Sequence, residues 1–134
     1  MTTGFPPDTV AFLADLRRRG RPAVSERTEG EARFWELAAP LLDQAGVSRS
    51  TMMGFPCLRL QGQFFASVDR RTGDLVVKLD EARVSRLVGE GRAEPFAPNG
   101  RRFREWATIP WSQRRTWSRH LDDALAAAAA RGTR

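Results

Sequence analysis

Apolar residues recur every three or four positions between about Glu29 and Ala45, at Phe34, Leu37, Ala38, Leu41, Leu42 and Ala45. That period predicts an amphipathic helix stopped by Gly46. Pro40 falls inside it, and an interior proline costs a helix about 3 kcal/mol. The pattern is read as one helix kinked at Pro40, the alternative being two helices that meet there. Beyond Gly46 the period changes to two. Leu58 to Leu60, Gln63 to Val68 and Leu75 to Leu79 read as three strands, joined by a tight turn at Gln61 and Gly62 and a longer one over residues 69–74.

Those turns set Leu60 opposite Gln63 and Val68 opposite Leu75, and strand alternation then sorts side chains by face. Cys57, Phe64, Ala66, Val68, Leu75, Val77 and Leu79 form the expected core face, with Arg59 its one charged member. Leu58, Leu60, Phe65, Ser67, Val76 and Lys78 fall on the other. That second face is more apolar than a solvated surface needs to be, so something is expected to cover it: the N-terminal extension, a second copy of the chain, or a partner held beside Lys78.

Asp80 suits the N-cap of a helix using Val84, Leu87 and Val88, with Gly89 and Gly91 near its end. Two further strands follow, Ala93 to Ala97 and Phe103 to Ile109, around a turn at residues 98–102. A last helix starts between Pro110 and Ser112, stripes Trp117, Leu121, Ala124, Leu125 and Ala128 along one side, and ends near Gly132. The order of helix, three strands, helix, two strands, helix describes an α+β domain, an antiparallel five-stranded sheet with helices mainly on one face. Residues 1–24 stand apart as a basic extension. Gly4, Pro6, Pro7, Gly20 and Pro22 punctuate an apolar stretch from Val10 to Leu16, which suits a brief helix from Asp8, followed by Arg17, Arg18, Arg19 and Arg21. Residues 25–134 make the single domain.

The 134 residues carry 22 basic and 16 acidic side chains, a net charge of +6. Clustered cations favour a phosphate backbone through counterion release. Lys78 is the sole lysine, so arginine supplies the other 21 cations, a bias that a GC-rich genome also produces. No run of about 20 apolar residues or signal pattern is visible, so the expectation is a cytoplasmic protein without membrane contact.

Cys57 is the one cysteine and His120 the one histidine, which leaves no disulfide and no multi-ligand Cys/His metal site. No EF-hand spacing or phosphate-cradling glycine run occurs, and no cofactor is expected. A Cys57 and His120 pair lacks an orienting third residue, so covalent catalysis is not expected. His120 reads as a surface residue of the last helix. The acidic run Glu26, Glu29, Glu31 and Glu36 suits the positive end of the first helix.

Thr51, Met52, Met53 and Gly54, then Gly62, Phe65 and Ala66, then Gly73, Leu75 and Lys78, and finally Phe96 and Pro110 form a series of motifs. The series resembles the N-terminal domain of the TfoX/Sxy family and, more loosely, the related MmcQ/YjbR group, which carries a "double-wing" label. The resemblance spans about residues 29–130. It implies an α+β domain of this order, and a role in transcription regulation or DNA binding, without a catalytic motif to transfer.

The candidate nucleic-acid contacts are accordingly Arg70 and Arg71 at one turn and Arg101, Arg102 and Arg104 at the other, two wings placed to touch phosphates. Trp106, Trp111 and Trp117, with Phe103, could stack on bases, although their spacing suits core packing, as does that of Trp35. The candidate ligand or partner face is Leu58, Leu60, Phe65, Val76 and Lys78. The expected function is a non-enzymatic binding or regulatory domain that takes DNA through its arginine tips or a protein partner through the mixed sheet face. The rival is a small-ligand-binding or structural homodimer using the face around Phe65 and Lys78.

Overall fold

A computed structural model describes residues 24–52 and 54–132. The brief helix expected from Asp8 and the arginines that follow it lie outside the described residues. The elements are α1 (Val24–Leu42), β1 (Val47–Met52), β2 (Phe55–Leu60), β3 (Gln63–Asp69), β4 (Asp74–Lys78), α2 (Glu81–Gly89), β5 (Glu94–Phe96), β6 (Phe103–Ile109), a 3-10 turn (Trp111–Thr116) and α3 (Trp117–Gly132). The strands form one antiparallel sheet in the order β1-β2-β3-β4-β6-β5. The fold is α+β, with six strands among the described residues where the periodicity predicts five. The sequence of β1, VSRSTM, offers no alternation of large apolar residues: it is a polar edge strand. No described helix is long and apolar enough to cross a membrane.

α1 runs through Pro40 as one element and ends two residues later. Near a C-terminus there is little helix left for proline to disrupt. Two points, Gly30 within α1 and Gly46 on the turn that follows it, are held against turns of the sheet. At one, Gly30 meets the β3–β4 turn so closely that a Cβ there would overlap the Gly73 carbonyl. At the other, Gln61 donates its backbone N–H to the Gly46 carbonyl, 2.8 Å away. Gln61 and Gly62 both take positive φ, 50° and 86°, as a tight two-residue hairpin demands.

All three described helices cover one face. Phe34, Ala38 and Leu41 of α1, Val84 and Leu87 of α2, and Trp117, Leu121, Ala124 and Ala128 of α3 share one core with Leu58, Phe65, Ala66, Val68, Leu75, Val77, Ala107 and Ile109 of the sheet. Asp80 caps α2, its carboxylate accepting the Arg83 backbone N–H at 2.8 Å.

Leu60 does pair with Gln63, and Val68 with Leu75, as the turns require. Between those points the expected facing inverts. A β-bulge shifts the register so that Leu58 pairs with Ala66 while Arg59 pairs with Phe64, leaving Phe65 as the extra residue. One inserted residue sends alternate side chains of β2 and early β3 to the other face. Leu58 and Phe65, expected on the second face, are fully buried beneath the helices, and Leu60 is packed against the same core. Cys57, Arg59 and Phe64 take the opposite face instead.

Candidate nucleic-acid interface

On the face away from the helices, side chains line up in rows across the strands. One row begins with Arg59 on β2, whose guanidinium lies 4.4 Å over the ring of its cross-strand partner Phe64 on β3. On β4 and β6, Lys78 pairs with Trp106, which meets the Phe96 ring at 6.3 Å between centroids. Because Ala66 pairs with Val77, Phe64 and Lys78 lie within a residue of being level. Cation, ring, cation and ring thus alternate over four adjacent strands, all four half-buried. A guanidinium stacked on a ring gains about 0.5–1 kcal/mol at an exposed site and keeps its charge.

Hairpin topology places further cations beside this row. β6 starts at Phe103, three residues before Trp106, so the β5–β6 turn projects from the Lys78 end of the sheet. Arg101 and Arg102 on that turn are exposed and make no ion pair among the described residues, and the half-buried Arg59 and Lys78 make none there either. Arg104 is also exposed, held loosely by Glu81 at 3.7 Å.

Arg70 and Arg71 sit at the other end of the sheet, on the β3–β4 turn, so the two arginine tips do not form a pair of neighbouring wings. Their charges are also engaged locally. Arg70 makes a two-pronged contact with Glu31 at 3.0 and 3.1 Å, which strengthens its hold on its proton. Arg71 grips Asp69 in the same way, at 3.1 and 3.0 Å. Arg70 also borders an open pocket of about 580 Å³ on α1, beside Trp35, over which Arg49 stacks at 4.1 Å.

Of the expected partner face, only Val76 and Lys78 lie on this side. Val76 is 1% exposed, so Lys78 alone of the five is accessible there. Trp117 belongs to the core, as its spacing suggested, and Trp111 packs edge-on against it at 5.7 Å. Trp106 departs from that expectation by lying on the helix-free face. Nothing in the sequence marks Phe64, Arg59 and Trp106 as one site, because their alignment depends on the bulge.

Cys57 and His120 lie on opposite sides of the sheet and do not meet. Burial raises the Cys57 pKa, against the charge of Arg59 and a hydrogen bond with Ser50, and so keeps the thiol protonated. His120 is buried, 1% exposed, contrary to its expected surface position. Arg119 beside it is exposed, but α3 turns His120 and its neighbour Leu121 together toward the interior. Among the described residues neither imidazole nitrogen has a hydrogen-bond partner, and burial lowers the His120 pKa. Among the described residues no cluster of His, Cys, Asp and Glu could hold a metal ion.

The chain is therefore a sheet-and-helix domain of the α+β class with one face free of described helices. No family model, curated protein or solved structure matches it.

Proposed function

We propose that this chain is a non-enzymatic nucleic-acid-binding domain that takes unpaired DNA nucleotides on the helix-free face of its sheet. The observation that carries this reading is the row Arg59, Phe64, Lys78 and Trp106, continued by Arg101 and Arg102. Cations at this spacing suit successive phosphates, and rings between them suit bases, with stacking contributing about 1–3 kcal/mol per base. The role is read as binding, since cations and rings in a row suit holding a charged polymer. It agrees with the DNA-binding role that the TfoX/Sxy and MmcQ/YjbR resemblance implies, but moves the interface from the arginine tips to the sheet.

Titration of a labelled single-stranded oligonucleotide tests the reading. Trp106→Ala and Phe64→Ala should each weaken binding about tenfold, the equivalent of about 1.4 kcal/mol. Affinities unchanged by both substitutions would reject the sheet face as the site.

A further inference from the structure

The pocket on α1 shares no residue with the helix-free face. Arg27, Glu31, Ala32 and Trp35 stand at i, i+4, i+5 and i+8, so they form one stripe along the helix, and Arg70 of the β3–β4 turn joins them through Glu31. The space they line, about 580 Å³, lies within the roughly 300–1,000 Å³ that small-ligand sites occupy.

Charge and ring are divided along this stripe. Arg27 is nearest the start of the helix and makes no ion pair among the described residues. One turn on, Glu31 holds Arg70 through Nε and Nη2, at 3.0 and 3.1 Å, which fixes the guanidinium plane. Nη1 is left with one long contact, 3.5 Å to the Gly54 carbonyl, and so keeps donors for a ligand. A further turn on, Trp35 packs edge-on against the buried Phe34, with 5.0 Å between centroids, and carries the Arg49 guanidinium 4.1 Å over its ring. Eight residues separate Arg27 from Trp35, so a helical rise of about 1.5 Å per residue sets the free cation and the indole about 12 Å apart.

We propose that this pocket binds a free nucleoside diphosphate or triphosphate, its base against Trp35 and its phosphates between Arg27 and Arg70. A flat ring suits the indole, and guanidinium groups match phosphate oxygens with paired hydrogen bonds. Three guanidinium groups stand here against the single carboxylate of Glu31, a surplus that two or three linked phosphates balance. The phosphodiester of a nucleic-acid strand brings one charge per nucleotide and matches it less well. Neither a bare anion nor an uncharged ring uses both halves of the pocket. The site stands on its own residues and not on the sheet-face reading.

Calorimetric titration of the full chain with ADP at low salt tests the proposal. ADP should bind at one saturable site, and pyrophosphate and adenosine should each bind at least tenfold more weakly. Ala32→Glu, at an exposed position where glutamate keeps good helix propensity, adds a carboxylate to the wall and should weaken ADP binding at least tenfold. Trp35→Ala should weaken it similarly; if that variant unfolds, Arg27→Gln takes its place with the same expectation. No saturable binding by the wild-type chain overturns the proposal, as does an affinity for pyrophosphate equal to that for ADP. ADP affinity retained in Ala32→Glu but lost in Phe64→Ala moves the ligand to the sheet face and overturns it as well.

Discussion

Leu58 pairs with Ala66 while its neighbour Arg59 pairs with Phe64, so one residue of β3, Phe65, has no opposite number on β2. The bulge assigns the two adjacent phenylalanines to different environments: Phe65 is wholly buried among the helices, and Phe64 lies half-buried beneath a guanidinium on the far face. Phe65→Ala should therefore cost about 3–5 kcal/mol and Phe64→Ala about 1 kcal/mol or less. Urea unfolding of the two variants measures the difference. Equal losses, or a larger loss at position 64, would contradict the bulge.

Strand alternation was legible where turns fixed it. Val68 and Leu75 pair as the β3–β4 turn dictates, and Val77, Leu79, Val84, Leu87 and Trp117 all lie in the interior where their spacing put them. The inversion at Leu58 and Phe65 was not legible, because a bulge adds no distinctive residue type: two apolar neighbours followed by alanine read equally well either way. β1 was hidden for the opposite reason, being largely polar. The proposed binding row depends on the bulge, which is why the sequence pointed to the hairpin tips, where arginines are conspicuous, and to Phe65 in place of Phe64.

Gly30 and Gly73 offer a test of how α1 is seated. Since a side chain at position 30 would run into backbone, neither partner can yield by rotating a torsion. Gly30→Ala should destabilise by about 1–3 kcal/mol despite the higher helix propensity of alanine. Thermal unfolding followed by circular dichroism checks this, and a stabilised variant would place α1 further from the turn.

His120 predicts a pH dependence. Its folded-state pKa lies below the ordinary 6.5, mainly through burial, with Arg92, Arg83 and Arg119 adding to the effect and Asp123 opposing it. In the range between the folded value and 6.5 the unfolded chain binds a proton that the folded chain does not. Stability should thus be full above that range and fall as the pH drops through it, by at most about 1.4 kcal/mol per pH unit. His120→Leu removes two buried nitrogens that have no partner among the described residues, together with the titration, so it should flatten the slope and raise stability at acid pH. Denaturant midpoints of both proteins across the acid range would reveal an unchanged slope, the contrary result.

Neutralised and unpaired arginines should differ in their contribution to nucleic-acid affinity. Replacing Arg101 and Arg102 by alanine should lower the dependence of log affinity on log salt by about 0.7 for each phosphate of a single strand that is no longer neutralised. Replacing Arg70 and Arg71, each already gripped by a carboxylate, should leave that slope nearly unchanged. Binding isotherms at several salt concentrations separate the two pairs, and the reverse ranking would restore the β3–β4 turn as the principal site of phosphate binding.

The central claim is that nucleic acid lies along Arg59, Phe64, Lys78 and Trp106. Ultraviolet cross-linking of a single-stranded oligonucleotide to the full chain, followed by mass mapping of the adducts, tests it most directly. Adducts should fall on Phe64 of β3 and Trp106 of β6 and decline as salt is raised. Adducts confined to the Arg70 turn or to the Trp35 pocket, or none at any salt concentration, would contradict it.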